Sequence, residues 1–274
     1  MHPLNYPLSI HKQYMKKSVL RPCLASIFLF LLTLPVSGQK PSAKQDIAEA
    51  LKGYFKPAGE APVAPDDEGF IRRWLMLDPI SKPDISVNSF TERFVRHTLS
   101  EEFLPGDKGY LPKKGEKVKL KMAYQPPVDV TARRRVIETA APDTVKATLV
   151  WHPLDSDHFF IKLIRFAAGL NKDRFCVVYN QVTVLNCEED IENVRLSVGS
   201  NKSSMWWLNG EEVLVMPGDR YMVADNNVSK RITLKKGKNI LRGAVLTGTG
   251  MSECCVRILD ENGKPFRDYT ITCE

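Results

Sequence analysis

The feature that most constrains the fold is the pair Asn209-Gly210, which stands between two β-rich runs, Ser203–Leu208 and Glu211–Met216. Both residues of an Asn-Gly pair tolerate positive φ, so this pattern predicts a tight β-hairpin. A second pair of the same kind, Asn262-Gly263, lies near the end of the chain. Tight turns join antiparallel strands, whereas parallel strands need long crossovers, so these turns predict an antiparallel all-β fold.

Short runs of strand-forming residues recur along most of the chain. Between them lie turn residues, and no helical pattern alternates with the runs, which predicts a β-sandwich or barrel rather than a parallel sheet. The stretch 126–145 has no clear pattern and receives no assignment. Besides the hairpin runs, we expect strands at 70–77, 117–124, 146–151, 158–166, 174–185, 193–199, 231–234, 239–246, 254–260 and 266–273.

Two short helices are predicted in the first part of the chain. In residues 42–55, Ser42 and Gln45 have the spacing of a capping box, and apolar residues recur every four positions. A second capping-box pattern, Ser89 to Glu92, opens another helix. The apolar positions of this second helix are Phe90, Phe94 and Leu99.

The first 38 residues have the pattern of a secretory signal. A basic segment precedes the apolar run from Cys23 to Leu34, and small residues follow at Val36-Ser37-Gly38. A membrane-spanning helix needs about 20 apolar residues, and this run is shorter. We therefore expect Met15 to be the start, Gln39 to begin the exported chain, and the mature protein to have no membrane span and to be periplasmic or extracellular.

This pattern divides the chain into three predicted parts: a signal with an upstream extension at 1–38, a helical leader and linker at 39–68, and a β-sandwich domain at 69–274. The signal holds four of the 39 lysines and arginines and none of the 32 acids. Without it, 35 cations stand against 32 acids, and the net charge falls from +7 to +3. Nucleic acid is not an expected partner, because such binding needs a clustered basic face.

Five cysteines follow the signal, and their spacing does not match a zinc site. Export permits disulfides, but an odd number leaves at least one thiol unpaired within the chain. No cofactor is predicted. A structural calcium ion at Asp155 and Asp157 stays open, because the carbonyl ligands of calcium have no sequence signature.

The polar stretch from His152 to His158 is the nearest approach to a catalytic cluster. It brings two histidines, two aspartates and Ser156 within seven residues. A triad is assembled by the fold rather than by local crowding, so a polar turn between two strands explains the stretch equally well. The chain has no G-x-S-x-G elbow, phosphate loop or dinucleotide fingerprint, and no catalytic residue is assigned.

A series of motifs follows in a familiar order: Trp74–Ile80, Gly199-Ser200, Trp206–Gly210, Leu234–Asn239 and Asp260–Pro265. In this order the chain resembles the galactose-binding-like jelly-roll domains of exported carbohydrate-active proteins. Those domains have a W-L-x-L-G-P-F strand, a glycine-serine turn, a W-L-N-G hairpin, an L-K-K-G-x-N turn and a closing D-x-x-G-x-P. The resemblance covers about 69–274 and implies a jelly-roll β-sandwich.

The chain departs from this family at three places. Asp78 replaces the usual glycine, Ile80 replaces the phenylalanine, and Asn201-Lys202 replaces an acidic pair that often follows the glycine-serine. That acidic pair can hold a cation or a sugar hydroxyl, so its absence weakens a ligand site at this turn.

The resemblance implies an exported, non-catalytic accessory protein that binds carbohydrate or another envelope component in polysaccharide use. Small relatives are often labelled acetylxylan esterases, so a carbohydrate esterase with an atypical active site is the alternative. A sandwich that packs on a protein partner in the envelope is a second alternative. A fold resemblance alone does not decide among these functions.

Sugar binding requires an aromatic face together with polar groups at the rim. Trp206 and Trp207 are adjacent on a predicted strand and point to opposite faces, so we expect one in the core and the other exposed to ligand. Arg220, Tyr221 and Asp225 in the following loop complete the candidate ligand site. The alternative is that a loop covers the second tryptophan and that Arg220 and Asp225 form a structural ion pair.

Overall fold

The computed structural model describes residues 50–82, 91–123, 144–167, 176–248 and 251–274. These residues form 15 strands in two antiparallel sheets and two short helices. The predicted all-β antiparallel sandwich is therefore confirmed. Several predicted segments lie outside the described residues. These are the signal, most of the helix predicted at 42–55, the Ser89 cap with Phe90, and all of the unassigned stretch except its last two residues.

The strands are β1 (Phe55–Pro57), β2 (Arg73–Leu77), β3 (Ile80–Lys82), β4 (Lys117–Ala123), β5 (Thr144–Ser156), β6 (Cys176–Cys187), β7 (Ile191–Ser200), β8 (Ser203–Leu208), β9 (Glu211–Met216), β10 (Asn227–Val228), β11 (Ile232–Leu234), β12 (Gly237–Thr247), β13 (Cys254–Leu259), β14 (Pro265–Phe266) and β15 (Thr270–Thr272). Helix α1 spans Glu92–His97 and continues as a π-helical turn, Thr98–Glu102. Helix α2 spans Leu163–Phe166.

The larger sheet has the strand order β1-β5-β2-β6-β12-β8-β9, with β3 and β15 also paired to β6 and β4 paired to β5. Strand β6 is the middle strand of this order, and β12 pairs with it from Gly237–Cys187 to Thr247–Val177. The smaller sheet has the order β10-β7-β13-β14, with β11 also paired to β7. The chain passes from the small sheet to the large sheet through only two residues, Asn201-Lys202.

Two apolar clusters cover opposite faces of the larger sheet. The first lies between the sheets and joins side chains such as Trp74 and Trp206 to Val198 and Val256 of the small sheet. The second lies on the outer face, where Trp207 packs among apolar residues that include Leu99 of the π-helical turn. Covering both faces explains why strands such as β2 and β8 are buried at every position instead of at alternate ones.

The Asn209-Gly210 turn forms as predicted. Both residues have positive φ, 51° at Asn209 and 85° at Gly210, which is the backbone of a type I′ turn. Strands β8 and β9 begin and end at the predicted residues. The strand predicted at 117–124 is also confirmed as β4 over its described residues, Lys117–Ala123.

Side chains that close turns explain two of the family-like motifs. Buried Asn239 accepts a hydrogen bond from Lys235 N at 2.8 Å and donates to Lys235 O at 2.6 Å, which closes the Lys-Lys-Gly turn. Asp260 Oδ1 accepts from the amides of Asn262 and Lys264, which closes the last turn. Asp78 stands where the family pattern usually has glycine. Its carboxylate accepts a hydrogen bond from Val150 N at 2.9 Å.

Several sequence predictions are corrected here. The strand predicted at 158–166 is wrong, because the chain makes an isolated bridge from Ile161 to Cys254 and then turns into α2. Gly199-Ser200 is the end of β7 rather than a turn. The run 266–273 is divided between β14 on the small sheet and β15 on the large sheet.

The predicted leader and linker are attached to the sandwich. Phe55–Pro57 forms β1 on β5 instead of ending a helix, and Val63 makes a bridge to Ile271. Residues 55–57 and 63, on the N-terminal side of residue 69, are therefore hydrogen-bonded to strands of the sandwich.

The N-cap of α1 is two residues later than the Ser89 pattern predicts. Thr91 is the N-cap, and its side chain accepts a hydrogen bond from Phe94 N at 3.3 Å.

Candidate functional site

The loop from Pro217 to Asn226 carries three of the predicted site residues across the small sheet. It leaves β9 at the edge of the large sheet and ends at β10, which pairs with β7. Gly218 makes the first turn with φ of 86°, a conformation that favours glycine. Its amide donates to Ser203 Oγ at 2.8 Å. The loop thus begins from a defined point beside the two-residue crossing.

Two further contacts hold the loop on β7. Arg220 N donates to Asn201 O at 3.1 Å. At Gly199, a Cβ atom would lie only 2.3 Å from Val223 O, so this position accepts no larger residue unless the loop moves. Gly199 therefore allows the close approach between the loop and the strand.

Asp225 is partly buried and forms an ion pair with Arg257 of β13. Arg257 Nε donates to Asp225 Oδ1 at 2.9 Å, Arg257 Nη2 bonds to Oδ2, and Ser197 Oγ donates to Oδ1 at 2.5 Å. The hydrogen bond from Arg257 is the largest cause that lowers the pKa of the Asp225 carboxyl. The alternative expectation, an ion pair between Arg220 and Asp225, is wrong, because the partner of Asp225 is Arg257.

The Arg220 side chain folds back onto the turn that precedes it. Its Nη2 donates to the carbonyl oxygens of Pro217 and, at 3.2 Å, Gly218. Burial lowers the pKa of this guanidinium. Among the described residues, its buried Nη1 atom has no hydrogen-bond partner.

Tyr221 stands out from the loop with 92% of its surface exposed. Val223 on the same loop is 55% exposed, and Met251 is 46% exposed. Met251 lies near the start of this loop, because its carbonyl accepts a hydrogen bond from Asn201 Nδ2 at 3.1 Å and Asn201 O accepts one from Arg220 N. Beside them, Lys202 Nζ pairs with Asp219 at 2.8 Å. We call the residues Lys202, Asp219, Tyr221, Val223 and Met251 the Tyr221 surface.

The two tryptophans do not belong to this surface. They point to opposite faces, as expected, but both are fully buried, Trp206 between the sheets and Trp207 in the outer cluster. The expectation of one exposed ring is wrong, because α1 and its π-helical turn pack over β8 on the outer face. In this structure neither indole has a face open to a ligand.

The polar stretch 152–158 is mostly strand rather than turn, and its side chains have separate partners. His152 Nε2 lies 2.9 Å from Asp78 Oδ1, and Asp155 pairs with Arg73 at 2.8 Å. Ser156 Oγ lies 2.9 Å from His158 O, while the His158 ring stacks on Phe160 with 5.2 Å between centroids. These residues therefore do not form a serine–histidine pair.

The described cysteines are free thiols, four of them buried and Cys273 partly exposed. Burial raises the pKa of Cys254 to about 12 and that of Cys255 to about 11, so neither is a thiolate near neutral pH.

Two further surveys cover only the residues that the structure describes. Within them, no group of three or more histidine, cysteine, aspartate or glutamate side chains is arranged to hold a metal ion. None of the helices in this part of the chain has the length and hydropathy to span a membrane.

The sequence analysis named Tyr221 and Asp225 as candidates but did not identify the residues that hold their loop. Arg257 and Asn201 have no local signature, because their roles depend on contacts between distant segments. Gly199 did carry a signal, as part of the glycine-serine motif, but its role is close packing rather than a turn.

The sequence matches no protein-family model and no curated protein. Among solved structures, the chain is similar to a beta-glucosidase from Kluyveromyces marxianus in complex with glucose, with 14% identity over 53% of this chain and a TM-score of 0.32. This chain spans 16% of the length of that enzyme. It is also similar to the PA14 sugar-binding domain from an RTX adhesin, with 10% identity, 73% of this chain and 96% of that chain covered, and a TM-score of 0.36. TM-scores this low carry no argument about function.

Proposed function

We propose that this chain is an exported, non-catalytic protein that binds carbohydrate through the Tyr221 surface. The observation that carries the proposal is Tyr221 itself, a ring that is 92% exposed on a loop held to the sandwich at several points. A tyrosine combines an apolar ring with a polar hydroxyl group, so an exposed tyrosine can contact a ligand through both.

The loop is suited to present this ring without a large ordering cost. The backbone hydrogen bond from Arg220 to Asn201 and the close contact of Val223 with Gly199 stand on both sides of Tyr221. A ligand that stacks on a ring already held in place pays less conformational entropy on binding. The C–H face of a pyranose is a suitable partner for such a ring.

Polar groups at the rim supply the second requirement of a sugar site. Asp219 has 58% of its side chain exposed while it pairs with Lys202, so one of its oxygen atoms is open to a sugar hydroxyl. Val223, two residues further along the loop, and Met251 add exposed apolar area. An aromatic platform with a few polar groups beside it is the composition expected of a carbohydrate site.

The wider context of the proposal comes from the sequence. The motifs at 199–210 and 234–265 resemble galactose-binding-like jelly-roll domains, and the pattern of residues 1–38 supports export to the periplasm or the exterior. N-terminal sequencing of protein secreted by its own host tests the export, and we expect a mature chain that begins near Gln39. Retention of Met15 on exported protein would contradict it.

The experiment that tests the binding site is affinity electrophoresis through gels that contain single polysaccharides. We expect the wild-type chain to be retarded by at least one of them. Tyr221→Ala should remove the retardation, and Tyr221→Phe, which keeps the ring, should preserve it. Phe159→Ala is the matched control, because Phe159 is a 38% exposed ring in another loop, and it should leave retardation unchanged.

Two results would overturn the proposal. Retardation that survives Tyr221→Ala would place the site elsewhere, and the absence of retardation on a broad set of polysaccharides would remove the function. Hydrolysis of an acetyl ester that is lost in Ser156→Ala would replace binding with the esterase alternative, since acyl transfer requires an activated nucleophile.

A further inference from the structure

A pocket lies near the β1 edge of the larger sheet, between the segment 56–66 and strands β2 and β5. Its volume is about 210 Å³, and its charged lining residues are Lys56, Asp66, Arg72, Arg73 and Asp155. Pockets that hold drug-sized ligands measure roughly 300–1,000 Å³, so this one suits a single sugar unit or a smaller molecule.

Three of these charges lie in one row across the sheet. Asp155 on β5 is directly opposite Lys56 on β1 and directly opposite Arg73 on β2. Arg73 donates two parallel hydrogen bonds to Asp155, at 2.8 and 2.9 Å. The carboxylate of Asp155 is therefore matched by Arg73, and the Lys56 ammonium has no ion pair among the described residues.

Arg72 is the second cation without an acidic partner in the described part of the chain. Its Nε donates to Ser156 O at 2.9 Å, which fixes the plane of the guanidinium and leaves the two Nη groups for another acceptor. Asp66 also lines the pocket, and its Oδ1 accepts from the amides of Glu68 and Phe70 at 3.1 and 2.8 Å. Its Oδ2 stays available to a hydroxyl donor.

The lining therefore carries three cations and two carboxylates, an excess of one positive charge. A guanidinium edge binds a carboxylate through two parallel hydrogen bonds, the arrangement that Arg73 and Asp155 already show beside it. We propose that this pocket binds a hydroxylated carboxylate, specifically a hexuronate unit, with the carboxylate on Arg72 and Lys56 and a hydroxyl on Asp66. This site is separate from the Tyr221 surface and does not depend on it.

The test is calorimetric titration of the full chain at low salt with galacturonate, galactose and acetate. We expect galacturonate to bind at least ten-fold more tightly than galactose, because only the acid neutralises the excess charge. Acetate should bind more weakly than galacturonate, because it has no hydroxyl for Asp66. Raising the salt concentration should weaken galacturonate binding, because the attraction is between partly exposed charges.

Variants assign the binding to the pocket. Arg72→Gln should weaken galacturonate binding at least ten-fold, and Lys56→Gln, at an exposed position where folding is unaffected, should weaken it several-fold. Arg165→Gln is the matched control, an exposed arginine that contacts Tyr54 and lies outside the pocket lining, and it should have no effect.

Equal affinity for galacturonate and galactose would overturn the inference, and so would galacturonate affinity that is unchanged in both Arg72→Gln and Lys56→Gln. Tyr221→Ala distinguishes the two proposals. If it abolishes galacturonate binding while the pocket variants do not, the acid binds at the Tyr221 surface, and the pocket inference fails while the proposed function stands. Loss of polysaccharide retention in Tyr221→Ala with galacturonate titration intact supports two separate sites.

Discussion

The β8–β9 hairpin and the loop that follows it place aromatic residues in opposite environments. In the hairpin, Trp206 and Trp207 are 0% exposed, whereas Tyr221, a few residues later, is 92% exposed. Each segment contains a turn with positive φ, at Gly210 in the hairpin and at Gly218 in the loop. The difference in exposure comes from where the two segments lie. Strand β8 belongs to a sheet that is covered on both faces, whereas the loop crosses the outer side of the small sheet.

The comparison shows that the alternation of side chains along a strand does not establish exposure. Alternation correctly sends the two indoles to opposite faces. Exposure depends on what covers each face, and here the small sheet covers one and α1 with its π-helical turn covers the other. A loop is less often buried, because its backbone groups need water or specific partners, so a ring on a loop is the better candidate for a ligand platform.

The largest effect is expected from the hairpin. Trp206→Ala and Trp207→Ala should each lower the free energy of unfolding by about 3–5 kcal/mol, because both remove a fully buried ring from a packed cluster. For Trp206 the packing is tight, since a Cβ atom at Gly243 would lie 2.3 Å from its ring. Urea denaturation measures both changes. Glycan retention lost in either variant without any loss of stability would contradict the burial.

The next largest effect is expected where the loop meets the small sheet. Gly199→Ala should cost about 1–3 kcal/mol, because the added methyl group forces Val223 away from β7. The same displacement should weaken retention on polysaccharide, since Tyr221 lies on that loop. Gly59→Ala is the control, because a Cβ atom there would lie 3.8 Å from the nearest side-chain atom. Equal stabilities of the two variants by urea denaturation would show that the loop is not held by Gly199.

A smaller effect is expected at the ion pair under the loop. Asp225→Asn should cost about 1–2 kcal/mol at neutral pH, because it removes charged hydrogen bonds to Arg257 in a partly exposed site. The native pKa of Asp225 lies below its ordinary value of 3.8. The stabilisation is therefore fully present above about pH 4 and is lost as the pH falls through the lowered native pKa.

Urea denaturation of wild type and Asp225→Asn at several pH values measures this dependence. We expect the difference in unfolding free energy to be largest near neutral pH and to shrink as the solution becomes acidic. A difference that grows at low pH would have the wrong sign and would exclude the ion pair as its cause.

The smallest effect on stability is expected at the exposed ring. Tyr221→Ala should change the free energy of unfolding by less than about 0.5 kcal/mol, because surface substitutions away from packed features rarely cost more. The same variant should lose retention on polysaccharide. Thermal unfolding in the absence of ligand measures the stability, and a loss comparable to that of Trp206→Ala would mean that the ring is buried.

Local patterns in the sequence were sufficient for the elements whose structure depends on local chemistry. The Asn209-Gly210 hairpin has its predicted ends because the turn residues themselves permit positive φ. Strand β4 follows its alternating pattern of apolar and basic residues. The run 158–166 misled for the opposite reason, since a short apolar run does not distinguish a strand from a buried helix. In the structure, Ile161 makes only an isolated bridge to Cys254, which is distant in sequence, before the chain turns into α2.

By itself, the sequence determined the all-β class, the main hairpin and the loop that carries Tyr221. Only the tertiary structure decided which aromatic ring is exposed, which cation pairs with Asp225, and which charges meet at the edge of the larger sheet. The physical reason is that these properties arise between segments far apart in the chain: Asp225 meets Arg257, and Arg73 meets Asp155. Turn chemistry acts within a few residues, whereas burial and charge pairing depend on how the sheets pack.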